Sequence, residues 1–252
     1  MNNLVILYFL QFCALINCNI ISKNLDCGLY YWSHVHELMT TCVISNRDMK
    51  NDAKKITRIQ ETLESEKNNL IGLMINSTIN TVIPTYISDF PVLENLRIQN
   101  TDLKKFAFNG TSNIAFMFLG YNKISEIDQN AFNGLLNLKI LYLNNNKLSQ
   151  IHNKAFKQLS NLQVIWLNDN HLKAISSETF SSNINLQRIK LQFNKINFIG
   201  KNAFNIQGTN NKLRNLDLRG NICIDIETFI YNITEVITRI KLNCNISSNN
   251  FT

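Results

Sequence analysis

The 252-residue sequence predicts an α/β solenoid, with short parallel strands on a concave face and a disulfide-bonded cap at each end. Three observations predict it. Four columns of residues recur every 24 positions: Asn122, Asn146, Asn170 and Asn194; Phe132, Phe156, Phe180 and Phe204; Leu119, Leu143, Leu167 and Leu191; Ile127, Ile151, Ile175 and Ile199. Within a period, apolar residues two apart, such as Leu141 and Leu143, share one face of a strand. Cysteines flank the repeats in pairs, Cys27 with Cys42 and Cys223 with Cys244.

Residues 1–18 hold an apolar run, LVILYFLQFCALI, of signal-peptide length. The run lacks the usual preceding Lys or Arg, which leaves a signal anchor as the other reading. Residues 19–69 form the amino-terminal cap. KITRIQ within it is a strand candidate, and the charged stretch from Asp48 to Lys67 is solvated surface. His34 and His36 stand two apart and read as cap-surface imidazoles rather than metal ligands.

Residues 70–222 hold about seven repeats, opening at Leu70, Leu93, Ile114, Leu138, Leu162, Leu186 and Leu213. Leu141 and Leu143 point into the core, and Asn146 follows where the chain turns inward and buries amides that need partners. Stacked asparagines should make a ladder, with Thr78 and Thr101 replacing asparagine in the first two turns. Phenylalanines such as Phe156 fill the wider gap opposite the strands. No turn can bury its apolar face alone, so stability comes from the interfaces between neighbours. The pattern L-x-x-L-x-L-x-x-N resembles the leucine-rich-repeat family in its extracellular 24-residue form. The segment around Cys27, Tyr30, Tyr31, Trp32, Cys42 and Val43 is similar to the amino-terminal cap of secreted insect members.

Residues 223–252 form the carboxy-terminal cap. Ile226, Phe229, Ile230, Ile233, Val236, Ile237 and Ile240 recur at three-and-four spacing and predict one apolar helix face. Four cysteines allow three connectivities. The repeats hold the two pairs apart, so the expected bridges are the local ones, Cys27–Cys42 and Cys223–Cys244. Sequons stand at Asn76, Asn109, Asn232 and Asn245, with another near the end at Asn250. Asparagine is abundant, roughly forty residues, through the ladder and polar loops together.

Binding chemistry is expected where strand side chains point away from the core, at the third, fifth, seventh and eighth positions of the repeat. Those positions gather Phe116, Phe118, Tyr121, Ile140, Tyr142, Val164, Trp166 and Phe193, rimmed by Arg97, Arg188, Lys190 and Arg219. An apolar patch on solvent-facing strands marks an interaction site, and Tyr and Trp are favoured anchors. A basic rim suits an acidic partner.

The expected function is therefore a secreted, non-catalytic module that binds a protein or glycan partner, needing no cofactor or metal. The family resemblance implies roles in innate immunity, adhesion or signalling. The alternative is a matrix scaffold that holds acidic glycans by its net charge of +7. His152 and His171 lie on loops of different turns. No Gly-rich phosphate loop, HExxH or nucleophile elbow occurs, so an enzyme is not expected. The cations are scattered rather than striped, which argues against nucleic acid.

Overall fold

The computed structural model describes residues 26–32, 37–45, 71–76, 91–101, 103, 104, 108, 113–201, 203, 204, 212–229 and 233–244. The leader 1–18, the strand candidate 55–60, His34, His36, the stretch 48–67, Thr78 and the sequon residues Asn109, Asn232, Asn245 and Asn250 lie outside the described residues. So do the side chains of Asn76, Cys27 and Cys42.

Among the described residues the main sheet has ten strands. It opens with an antiparallel hairpin, β1 (Asp26–Trp32) and β2 (Glu37–Ser45), whose register sets Cys27 opposite Cys42. Then come the parallel repeat strands β3 (Gly72–Asn76), β4 (Asn95–Gln99) and β5 (Phe116–Phe118). Short strands β6 (Glu126–Ile127), β8 (Gln150–Ile151), β10 (Ala174–Ile175) and β12 (Phe198–Ile199) lie off this sheet and pair β6 with β8 and β10 with β12. The main sheet continues through β7 (Ile140–Tyr142), β9 (Val164–Trp166), β11 (Arg188–Lys190) and β13 (Asn215–Asp217). About five regular turns, from β5 to β13, carry the asparagine column; β3 and β4 extend the sheet ahead of them.

In each three-residue repeat strand from β7 to β11 one core-facing residue is bracketed by outward ones. Leu141, Ile165 and Ile189 are fully buried between partly exposed neighbours. Opposite the sheet, Phe132, Phe156, Phe180 and Phe204 stack at centroid separations of 5.7, 5.8 and 6.1 Å. One apolar core therefore runs unbroken from Leu73 to Cys244. The register survives uneven repeat lengths. Phe116 pairs with Asn95, 21 residues back, and Asn215 with Arg188, 27 residues back.

The asparagine ladder forms as its chemistry requires. Asn146 Nδ2 donates to Leu119 O (2.9 Å) and Leu143 O (3.0 Å), and its Oδ1 accepts the Ile124 N–H (3.0 Å). Asn170 and Asn194 repeat the set one and two turns on. Asn221 closes it against Ile196. At the other end Thr101 donates its hydroxyl to Asn122 Oδ1 (2.7 Å) and accepts the Leu103 N–H (3.2 Å), so a threonine is the first rung among the described residues.

A second asparagine column, on the outer return segments, escaped the sequence reading. Asn113, Asn161 and Asn185 each donate to a carbonyl of the preceding turn, at Pro91, Leu136 and Ser160. They also obey the 24-residue step, so part of the asparagine excess is a second tie between turns.

The carboxy-terminal cap corrects one expectation. The apolar spacing from Ile226 to Ile240 predicts a single helix. Instead Glu227–Phe229 form β14, antiparallel to β13, and the helix α1 spans only Ile233–Asn243. The last parallel strand would otherwise leave a row of backbone groups unpaired, and β14 pairs them. Helix α1 buries Val236 and Ile240 over the core end, and the Cys223–Cys244 disulfide anchors its C-terminus at a Cα separation of 5.0 Å. No helix among the described residues is long and apolar enough to cross a membrane.

Candidate interaction face

On the non-core side of the sheet, register stacks two rows of side chains. One row is Phe116, Ile140, Val164 and Arg188; the other is Phe118, Tyr142, Trp166 and Lys190. In the second row the strand spacing of about 4.8 Å sets rings almost in contact. Phe118 meets Tyr142 edge-on, with centroids 4.9 Å apart and planes at 78°. Tyr142 and Trp166 stack at 3.9 Å, 7° from parallel. The Lys190 ammonium lies 4.1 Å from the Trp166 ring centroid, a cation–π contact that continues the stack.

This geometry corrects two readings. Phe118 is expected to be open for contact, yet it is only 2% exposed. Ile71, Met74, Phe116, Ile140 and Tyr142 pack around it, so it is the buried foot of the face. The rim cation Lys190 is also engaged, since it covers the indole that Tyr142 covers from the other side. Trp166 consequently offers its edge to solvent, not a ring face. Phe116, Ile140, Tyr142, Val164 and Trp166 are partly buried, and Arg188 is exposed. Arg97 is partly buried and donates from Nε to Gln99 Oε1 at 2.7 Å. Arg219 grips the buried Asp217 through Nε (3.0 Å) and Nη2 (2.7 Å).

Burial pushes the Tyr142 phenol above its usual range, and the nearby Arg188 guanidinium pulls part of that back. Burial likewise lowers the Arg97 guanidinium. Three polar atoms of this region are buried with no protein partner: Trp166 Nε1, Asn168 Oδ1 and Gln192 Oε1. Unsatisfied buried groups are costly and rare in folded proteins.

Tyr121 and Phe193 stand apart from the stack. They occupy the eighth position, where every described turn has a left-handed residue: Asn100, Tyr121, Asn145, Asp169, Phe193 and Gly220. Asn, Asp and Gly take that conformation readily. An aromatic side chain does so at a cost of roughly 1 kcal/mol or more. Tyr121 and Phe193, both at φ 57°, are nonetheless 54% and 57% exposed. Their position in the repeat is legible in the sequence, by period-24 alignment against Asn145 and Asp169; their strain is visible only from the backbone.

Off this face, Glu126, Asp128 and His152 line a shallow cleft of about 230 Å³ with Ile127, Gln150 and Ile151. His152 Nδ1 accepts the Lys154 N–H at 3.2 Å and so closes a local turn. Among the described residues no cluster of three His, Cys, Asp or Glu side chains is placed to hold a metal ion.

The leucine rich repeat family model matches residues 101–147, 112–172 and 160–222. No curated protein sequence matches the chain. Several solved structures do. One is the Toll–Spatzle complex, a molecular hub in Drosophila development and innate immunity; it is 27% identical over 70% of this chain and 23% of the other, with a TM-score of 0.59. Another is the octameric complex of Latrophilin 3, Unc5D and the leucine-rich-repeat part of FLRT2, 25% identical over 61% of this chain and 46% of the other, TM-score 0.53. A leucine-rich-repeat protein of Leptospira interrogans, 24% identical over 70% of this chain and 48% of the other, has a TM-score of 0.57 and shows the fold alone. The chain thus spans less than half of each of these. Repeat pattern, asparagine ladder, stacked parallel strands and the family-model match converge on one fold: the chain is a leucine-rich-repeat solenoid.

Proposed function

We propose that this protein is a secreted recognition module that holds another protein against its concave face and does no catalysis of its own. One observation carries the reading: Tyr142, Trp166 and Lys190 form a continuous stack on solvent-facing strands that the core does not need. Aromatic edges with aliphatic neighbours on a rigid sheet supply contact area at small entropic cost. The buried, unpartnered Trp166 Nε1, Asn168 Oδ1 and Gln192 Oε1 add polar groups that a partner can satisfy after side-chain rotation. Two similar structures are of protein complexes by their own descriptions, which favours a protein over a glycan as occupant. Secretion is supported by the apolar leader at 1–18 and the Cys223–Cys244 disulfide, a bond of oxidising compartments. On this reading the sequon residues Asn76, Asn109, Asn232 and Asn245 are glycan acceptors.

The test is paired capture. Tagged protein and its Tyr142→Ala/Trp166→Ala variant are exposed to extracellular fluid of the source organism, and the retained proteins are compared. The reading expects a protein retained by the parent and lost by the variant, at equal recovery of folded material. Equal capture by both overturns it.

A further inference from the structure

We infer that the principal anchors on this face are the two strained rim aromatics, Tyr121 and Phe193, and that they take an extended segment of the partner bearing apolar side chains four residues apart. This rests on the reading that the concave face binds protein, and it names the part of the partner that is held.

The first observation is conformational. All six described eighth-position residues are left-handed, and four are the Asn, Asp or Gly that favour this backbone. Tyr121 and Phe193 pay the steric penalty and leave most of their rings in water. The core does not require Tyr121, since neighbouring turns fold with Asn100 and Asn145 in its place. Phe193 does lie over the next turn, where a Cβ on Gly220 would come within 2.6 Å of its Cδ1, but its ring remains 57% exposed. Strained residues cluster at ligand contacts, and these two keep their strain with more than half of each side chain exposed.

The second observation is what lies between them. The two aromatics are three turns apart, with Asn145 and Asp169 on the intervening turns. At about 4.8 Å per strand the span is about 14 Å, which an extended chain covers in about four residues. Residues four apart in such a chain share a face, so both apolar side chains can meet the two rings. Beside this line the seventh position presents side-chain amides at Asn144, Asn168 and Gln192. Asn168 Oδ1 and Gln192 Oε1 have no protein partner, and Gln192 is only 8% exposed. Once rotated outward, acceptors in that row suit backbone N–H donors. An extended chain has N–H groups to give, whereas a helix has already spent its own. Exposed Arg188, across the face, favours a carboxylate on the same segment.

The test uses linear twelve-residue random peptides displayed on phage and selected on the folded protein. Enriched peptides are expected to share two apolar residues four apart, with a nearby Asp or Glu. Their binding should fall at least about tenfold on Tyr121→Asn/Phe193→Asn. That variant restores the residue type of the neighbouring turns, so its melting temperature should stay level or rise. Peptides that bind the rim variant undiminished but fail on Tyr142→Ala/Trp166→Ala overturn the rim anchors and leave the concave-face reading standing. Peptides indifferent to both variants, or no enrichment, overturn the extended-segment inference, and the paired capture above then decides the concave-face reading.

Discussion

Replacing Asn146 by alanine removes the Nδ2 bonds to Leu119 O and Leu143 O and the acceptor for the Ile124 N–H. Leu119 O and Leu143 O keep bonds from Asn122 and Asn170, but the buried Ile124 N–H loses its acceptor, and a buried group left unpaired costs roughly 1–3 kcal/mol. The loss in a urea titration should therefore be about 1–3 kcal/mol, beyond that of a surface Asn→Ala change. Asn146→Asp is the sharper probe. It keeps the acceptor and turns the donor into an oxygen that faces two carbonyls, so it should destabilise at neutral pH at least as much as alanine. Near-parent stability in either variant would show that the ladder is redundant with the outer column of Asn113, Asn161 and Asn185. The same reasoning explains why neighbouring asparagines differ in worth: Asn145 supplies a backbone conformation, while Asn146 supplies hydrogen bonds.

Among elements, the carboxy-terminal cap has the clearest division of labour. Strand β14 pairs the sheet edge, and α1 covers the core end with Val236 and Ile240. The disulfide closes a 21-residue separation across both, which is worth about 3 kcal/mol in the loop-entropy account. A solenoid couples each turn chiefly to its neighbours. The Cys244→Ser variant should consequently lose amide protection first in β13, β14 and α1, with β7 and β9 still protected. Hydrogen exchange read by mass spectrometry checks this. Uniform loss along the chain would mean that the solenoid melts as one unit. At the other end, the register that sets Cys27 against Cys42 in an antiparallel pair suits a second bridge.

For the whole molecule, the 24-residue period makes a rung the unit of both stability and recognition. Deleting residues 138–161 joins Asn137 to Leu162 and removes one period. The ladder, the phenylalanine stack and the strand register all meet again across the junction. The shortened protein should fold, with a helix-poor circular dichroism spectrum like the parent's and a smaller urea m-value in line with the surface lost. Its rim aromatics would stand two turns apart, about 10 Å, instead of three. Peptides selected on the parent should then bind poorly, through the changed rim spacing and the loss of Ile140 and Tyr142 together. An unfolded deletion product would show that the turns are less interchangeable than their spacing implies.

The repeat period, the core columns, the ladder and the local Cys223–Cys244 pair were legible because each obeys a spacing rule that one chain displays by itself. The members of the face were legible too, since position within the repeat decides which side a residue takes. What each member can do there was not. Phe118 is sealed by Met74 and Tyr142, Lys190 is held on Trp166, and Asp217 is held by Arg219. The first two are contacts between different turns and the third lies within one turn, and all are settled by side-chain size and rotamer rather than by pattern. The split of the last apolar run into β14 and α1 has the same origin: spacing within a segment reports its apolar face, but only a neighbouring sheet edge with unpaired amides draws three of its residues into a strand. Local periodicity determined the coil, and packing between its turns decided which surfaces stay open.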